Sequence, residues 1–204
     1  MEIYTIGHTN HSIDEFVALI RNYNINCVVD VRSTPFSKYT PQFNENNIKV
    51  ELNKRGIYYL KMGDEFGARR NNKELYTIDG YLDFEKTRQD VEFLKGIERI
   101  KQGCKKGFNI TLMCTEKDPF DCHRTIMVSK GLKDNGFKIN HILPNKEIQS
   151  QEKIEDRLLD KYFPNRLQIS FDTANNLTDE EMIEESYRKR NKEIGYSIGG
   201  EEEW

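Results

Sequence analysis

The 204-residue sequence contains no continuous apolar run of the ~18 or more residues that a membrane-spanning helix requires. Its first residues, Met-Glu-Ile-Tyr-Thr-Ile-Gly, lack the basic segment followed by an apolar one that marks a secretory leader. They read as a strand that begins almost at once. Cysteine is scarce: Cys27, Cys104, Cys114 and Cys122 are too few and too scattered for a disulfide framework. A cytoplasmic protein with reduced thiols and no membrane partner is therefore expected. An overall positive charge is also missing. The net charge of −3 argues against a protein that simply coats nucleic acid. No internal repeat or low-complexity tract is evident.

What the sequence does have is a regular alternation of short apolar runs with longer amphipathic ones. The run at 3–6 ends at Gly7-His8-Thr9-Asn10. Ser12 followed by Glu15 forms a capping box, and Ile13, Phe16, Val17 and Ile20 recur at the spacing of one helix face. Cys27-Val28-Val29-Asp30-Val31 is the unbroken β-branched run expected of a strand buried on both faces. Helices are expected over about 45–55, 82–102 and 122–135, closed by Gly56, Gly103 and Gly136. Strands are expected at 57–60, 109–113 and 139–143. This β-α order predicts an α/β fold: a three-layer α/β/α arrangement with a mostly parallel, Rossmann-like sheet over residues 1–144. Residues 145–204 show no clear strand, and helices are expected at 153–162 and 180–192. They are read as a helical, acidic extension packing on the core, with 199–204 frayed. The charge divides accordingly: residues 1–144 carry 22 basic and 19 acidic side chains, residues 145–204 carry nine and 15.

In open α/β sheets, ligands gather outside the carboxyl ends of the strands. The polar residues that interrupt the apolar runs fall there. The first strand leads to His8 and Asn10, the second to Asp30, Arg32 and Ser33, and the third to Gly67, Arg69 and Arg70. The strand at 109–113 leads to Cys114, Glu116 and Asp121-Cys122-His123-Arg124. Pro119 bars a helix before it, and Asp121 is the expected N-cap. Cys122, His123 and Arg124 would then occupy the first helical turn, where free N–H groups attract anions and favour a thiolate. Arg124 adds a two-pronged donor suited to phosphate or carboxylate. Cys122 is thus the expected nucleophile or redox thiol, Cys114 a second thiol, and His123 or His8 the acid/base. Asn10, Asp30, Arg32, Ser33, Arg69, Arg70, Glu116 and Arg124 are the expected ligand contacts.

Three stretches in order, Tyr4-Thr-Ile-Gly-His8-Thr-Asn10, Val29-Asp-Val-Arg32-Ser with Pro35 and Pro41-Gln-Phe43-Asn, and Cys114…Cys122-His-Arg124, resemble the DUF488 family. The tail Arg190-Asn-Lys-Glu-Ile-Gly195-Tyr resembles tails of the same family. The resemblance implies a three-layer α/β fold. It also implies shared polar positions at His8, Asn10, Asp30, Arg32, Cys114, Glu116, Cys122, His123 and Arg124. The family's usual Gly-Gly-Arg-Arg stands here as Gly67-Ala68-Arg69-Arg70. The family is named for its unknown function, so the resemblance assigns no catalytic role.

Each assignment has a plainer counterpart. Cys122, His123 and Arg124 could cap a helix, and Asp30 with Arg32 could form an ion pair that pins a loop. The aromatics of the 34–43 loop could stack a base, but Phe36 and Phe43 tucked into a satellite core is the preferred reading. A zinc site from Cys114, Cys122 and His123, with or without His8, is the disfavoured alternative, because structural zinc sites usually show cysteine pairs two to four residues apart and these lie eight apart; no metal and no cofactor are expected. The leading functional reading is an enzyme with a Cys/His/Arg cleft acting on a small anionic ligand, nucleotide-like or phosphate-bearing. The alternative is a non-catalytic nucleic-acid or nucleotide-binding module using Arg32, Lys38, Arg69, Arg70 and Arg124, which the acidic C-terminal part disfavours. A third reading, rhodanese-like sulfur transfer, is weakened because no tight Cys-x-x-Gly-x-Arg loop follows Cys114.

Overall fold

The computed structural model describes residues 1–166 and 177–198. Its centre is a six-stranded sheet of β1 (Glu2–Gly7), β2 (Cys27–Asp30), β3 (Tyr58–Lys61), β4 (Ile110–Cys114), β5 (Lys138–Ile142) and β6 (Ile148–Ser150). The order is β3-β2-β4-β1-β5-β6. Every neighbouring pair is parallel except β5 with β6, which is antiparallel. β2 and β4 are buried at every residue, as their unbroken apolar runs require. α1 (Ile13–Arg21) and α2 (Glu45–Lys54) cover one face through Phe16, Ile20, Ile48 and Leu52. The other face carries α3 (Gly63–Phe66), α4 (Phe84–Gln89), α5 (Val91–Lys105), α6 (Lys130–Asp134), α7 (Gln151–Tyr162) and α8 (Asp179–Ile194). Their core contributions include Phe66, Phe93, Leu132, Leu158 and Tyr187. The three-layer α/β/α architecture is the expected one.

The capping box of α1 is formed as read, with Ser12 and Glu15 bonded reciprocally. Three expectations need correction. The helix over 82–102 is two helices, because Asp90 adopts an extended conformation and caps α5 by accepting from the Glu92 N–H, and α5 runs on through Gly103 to Lys105, with the left-handed turn at Gly107 instead. An Asp whose side chain satisfies a backbone donor competes with helix continuation. The stretch after 144 supplies β6, whose three half-buried residues are too few for a period to show in sequence. The helix over 122–135 is not regular: Arg124–Ser129 is a wider π-helical turn that leads into α6. The Ser129 hydroxyl donates to the Arg124 carbonyl five residues back, at 2.8 Å. The 199–204 segment, expected to fray, lies outside the described residues.

A directional chain of hydrogen bonds runs beneath this turn. Arg124 Nε donates to Thr5 Oγ1 at 3.4 Å. His141 Nε2 lies 2.8 Å from Gln151 Oε1, an acceptor, so Nε2 carries the proton and Nδ1 accepts from the Thr5 hydroxyl at 2.8 Å. Gln151 Nε2 donates to Tyr187 Oη at 2.7 Å, and Tyr187 donates to Glu155 at 3.1 Å. Complete burial, then the charge of Arg124, lowers the pKa of His141 to about 3. Above the unfolded value of about 6.5, the imidazole is neutral in both states. Below it, the unfolded chain binds a proton that the folded chain refuses, so stability falls with pH down to about 3. We expect this single group to cost on the order of 4 kcal/mol across that window. Urea unfolding measured between pH 7 and pH 4 should show a shallower decline for His141→Gln than for the parent protein.

Candidate active site at the carboxyl edge of the sheet

The loop after β4 is anchored at its start by a close backbone approach. Gly7 pairs with Cys114, and the Glu116 carbonyl oxygen lies 1.8 Å from where a Cβ on residue 7 would stand. Arg124 Nη1 donates to that carbonyl at 2.8 Å. The His8 N–H to Cys114 carbonyl bond (2.8 Å) and the Thr9 N–H to Thr115 carbonyl bond (2.9 Å) continue the ladder beyond the strands. The far end of the loop is gripped from the C-terminal helices. Arg157 of α7 donates to both Asp118 oxygens, at 2.9 and 2.7 Å. The guanidiniums of Arg157 and Arg190 both lie against the Phe120 ring, 4.5 and 4.6 Å from its centroid.

Between these anchors the loop delivers Cys122 in an extended conformation, φ −126° and ψ 137°. Its carbonyl accepts from the Thr125 and Ile126 N–H groups, so it stands at the cap and not in the first turn as expected. Asp121, the expected cap, pairs with Arg190 instead. Cys114 Sγ, Cys122 Sγ and a ring nitrogen of His123 all lie within 4.8 Å of one another. Cys114 and Cys122 are buried and His123 is partly so. His123 Nε2 lies 3.2 Å from the Val31 carbonyl, which can only accept, so Nε2 carries the proton. That leaves Nδ1, 3.7 Å from Cys114 Sγ, as the free lone pair. The Cys122 thiol donates to Glu116 Oε2 at 2.7 Å.

The electrostatics separate the two sulfurs. Burial raises the Cys114 thiol well above its usual range, and the neighbouring Cys122 adds to this. Burial also opposes ionisation of Cys122, yet the hydrogen bond with Cys114, the Arg124 charge and His123 more than reverse it, so Cys122 is the more acidic thiol of the pair. Burial and the nearby Cys122 sulfur raise Glu116. The shared proton is thereby drawn from sulfur toward the carboxylate.

Arg124 is completely buried, and its fork is spent inside the protein, on the Glu116 carbonyl and Thr5. Its Nη2 is buried without a hydrogen-bond partner among the described residues. Of the remaining candidates, His8, Asp30 and Arg32 form a second cluster, toward α1 and α2. Arg32 grips Asp30 through Nε and Nη2, at 2.9 and 2.6 Å, and Tyr59 donates to the same carboxylate at 2.7 Å. This is the plainer, loop-pinning reading of that pair. His8 stacks on Phe43 at 4.3 Å, and burial followed by the Arg32 charge lowers its pKa to about 4, leaving it neutral. Ser33 accepts from the Arg69 N–H at 2.9 Å, and Gly67 fits so tightly beside Ser33 that its Cβ would come within 2.3 Å of the hydroxyl. Arg70 donates to the Asp64 and Glu65 carbonyls, Arg69 lies over Tyr196, and Asn10 is exposed. The structure thus gathers Cys114, Glu116, Cys122, His123 and Arg124. It leaves His8, Asp30 and Arg32 in a neighbouring scaffold cluster, and Asn10, Ser33, Arg69 and Arg70 outside both.

Sequence reasoning missed Gly7, Val31, Phe120 and the helix arginines that hold Phe120. The Gly-His turn after β1 was the available signal for Gly7; a backbone carbonyl such as that of Val31 leaves none. We expect Gly7→Ala to cost at least about 1–3 kcal/mol, the usual range for overpacking, because the opposing atom is backbone and cannot swing aside. Urea denaturation checks the cost.

No curated protein and no solved structure matches the chain. Among protein families, "Domain of unknown function DUF488" matches residues 12–130. The match takes in the Asp30–Arg32 segment and the whole Cys114–Arg124 loop; the Tyr4–Asn10 stretch and the Arg190–Tyr196 tail lie outside it. With more than half of its length matched, and with both cysteines of the buried triangle inside the match, the chain belongs to the DUF488 family.

Proposed function

We propose that the chain is an enzyme that uses Cys122 as a thiol nucleophile on an anionic, nucleotide-like or phosphate-bearing substrate. The observation that carries this reading is the 2.7 Å contact between Cys122 Sγ and Glu116 Oε2. A thiol becomes a competent nucleophile when an adjacent base takes its proton. Glu116 is that base: the S–H proton passes to the carboxylate, the sulfur attacks, and the carboxylic acid can return the proton to the leaving group. Cys114 Sγ and a ring nitrogen of His123 stand within 4.8 Å of the sulfur. The buried guanidinium of Arg124 faces one carboxylate, Glu116, at 3.9 Å. That positive charge in a low-dielectric setting favours an anionic reactant over a cationic one. This is a field effect and differs from the direct grip on the ligand expected from the sequence.

A thermal-shift screen of nucleotides, sugar phosphates and simple anions against uncharged nucleosides tests the substrate class. A ligand at ~100 times its dissociation constant adds ~2.7 kcal/mol and should raise the melting temperature by several degrees. Cys122→Ser should retain that binding and lose turnover of any hit. Glu116→Gln should lower the rate by about 10²-fold or more, in the range of general-base losses. Turnover unchanged in Cys122→Ser would overturn the reading.

A second reading is favoured by one observation. Phe36 and Tyr39 are 61% and 81% exposed, contrary to the tucked-in expectation for Phe36, while Phe43 is fully buried as expected. With Lys38 between them, they offer stacking faces for a single-stranded nucleic acid. Binding of an oligonucleotide that weakens steeply with salt and is lost in Tyr39→Ala would favour this reading over catalysis.

A further inference from the structure

We propose that Cys114 Sγ, Cys122 Sγ and His123 Nδ1 form a binding site for a thiophilic divalent cation of the zinc class, with the fourth coordination position open. The spacing argument against a metal concerns cysteine pairs close in sequence. Here the fold brings together the end of β4 and the start of the π-helical turn, so the eight-residue gap becomes a loop over the site. All three donor atoms lie within 4.8 Å of one another. Zinc–sulfur bonds of ~2.3 Å and zinc–nitrogen bonds of ~2.0 Å at a tetrahedral angle place sulfur and nitrogen about 3.6 Å apart. Cys114 Sγ and His123 Nδ1 are 3.7 Å apart.

The surroundings suit a metal ligand in one further way. A ligating histidine usually donates its other ring N–H to a carbonyl or carboxylate, which fixes the tautomer and aims the lone pair. His123 Nε2 does this to the Val31 carbonyl at 3.2 Å, and its Nδ1 lone pair is left toward the sulfurs. Three protein donors with a vacant fourth position are the arrangement of catalytic rather than structural zinc. Binding is balanced by proton release: two thiols lose two protons to solvent as two metal–sulfur bonds form, and the imidazole binds neutral.

The inference shares with the proposed function only the identity of Cys122 as the reactive sulfur. Metal occupancy would take that sulfur out of use as a free nucleophile. The test uses the full chain, stripped with chelator and kept reduced by a phosphine. Cobalt(II) titration should give one equivalent bound, with intense visible bands of a tetrahedral site and a sulfur-to-metal charge-transfer band. Cys114→Ser, Cys122→Ser and His123→Gln should each weaken binding by about 100-fold or more, while a Cys27→Ser/Cys104→Ser double variant binds as the parent does. Should the site variants misfold, alkylation of the parent chain read by mass spectrometry replaces them: zinc should protect Cys114 and Cys122 and leave Cys104 unprotected. Absence of the cobalt bands, or protection that spares Cys114 and Cys122, would overturn the metal site. Cys122 that alkylates rapidly without ever binding cobalt would remove the metal alone and leave the thiol reading standing. A chain that binds cobalt but shows no Cys122-dependent turnover when metal-free would do the reverse.

Discussion

The close approach of the Glu116 carbonyl to the α-carbon of Gly7 positions everything at the carboxyl edge of the sheet. A side chain at residue 7 would push the loop after β4 outward by an atom's width. Because the residue is glycine, Arg124 can reach beneath the loop and hold the same carbonyl. That bond commits a buried cation to a place beside the sulfurs. The loop is then pinned at its other end by Arg157 on Asp118 and by two guanidiniums on Phe120. A loop fixed at both ends, with a single 3-10 turn at Pro119–Asp121, holds Cys122 against Glu116.

Strand alternation divides the polar residues of this edge into two groups. Ile3, Ile110, Leu112 and Cys114 share the core under α5 and α8, and Ile6, Val28 and Met113 share the core under α1 and α2. Successive residues of a strand point to opposite faces. Cys114 therefore joins the thiol cluster, while His8 and Asp30 fall on the side of Phe43. Charge follows the same division. Asp30 and Arg32 neutralise each other on the α1/α2 side. On the other side, the carboxylate paired with Arg124 among the described residues is that of Glu116, at 3.9 Å, and the Arg124 charge lowers the pKa of the Cys122 thiol. The hydrogen-bond chain from Arg124 through His141 to Glu155 leaves Nη2 as the only nitrogen of this guanidinium without a partner among the described residues.

Much of the fold was legible because its signals are local. The capping box before α1, the β-branched run of β2 and the glycines with φ of +72° and +82° at Gly56 and Gly136 each depend on a few consecutive residues. The misread segments are those where a side chain redirects its own backbone, as Asp90 does between α4 and α5, or where pairing depends on a distant strand, as with β6. The cysteine loop was legible as unusual chemistry, since Cys, His and Arg are adjacent in sequence. Its capping residue was not, because Asp121 had a choice between a local N–H and the distant Arg190, and the ion pair won.

The sequence by itself therefore determined the α/β class, the order of elements along the chain, and the presence of reactive residues just beyond β4. The periodicity and capping that encode these act over less than about two helical turns. Only the tertiary structure decided which of those residues meet. Glu116 and Cys122 are six residues apart and touch through a loop whose shape is set by Gly7, Arg157 and Arg190 from three other elements. Arg32 and Arg124 are both cations that lie beyond the carboxyl end of a strand in the sequence. One is closed in an ion pair and the other is bonded to a backbone carbonyl and a hydroxyl, because the strands and turns that carry them bury them among different partners.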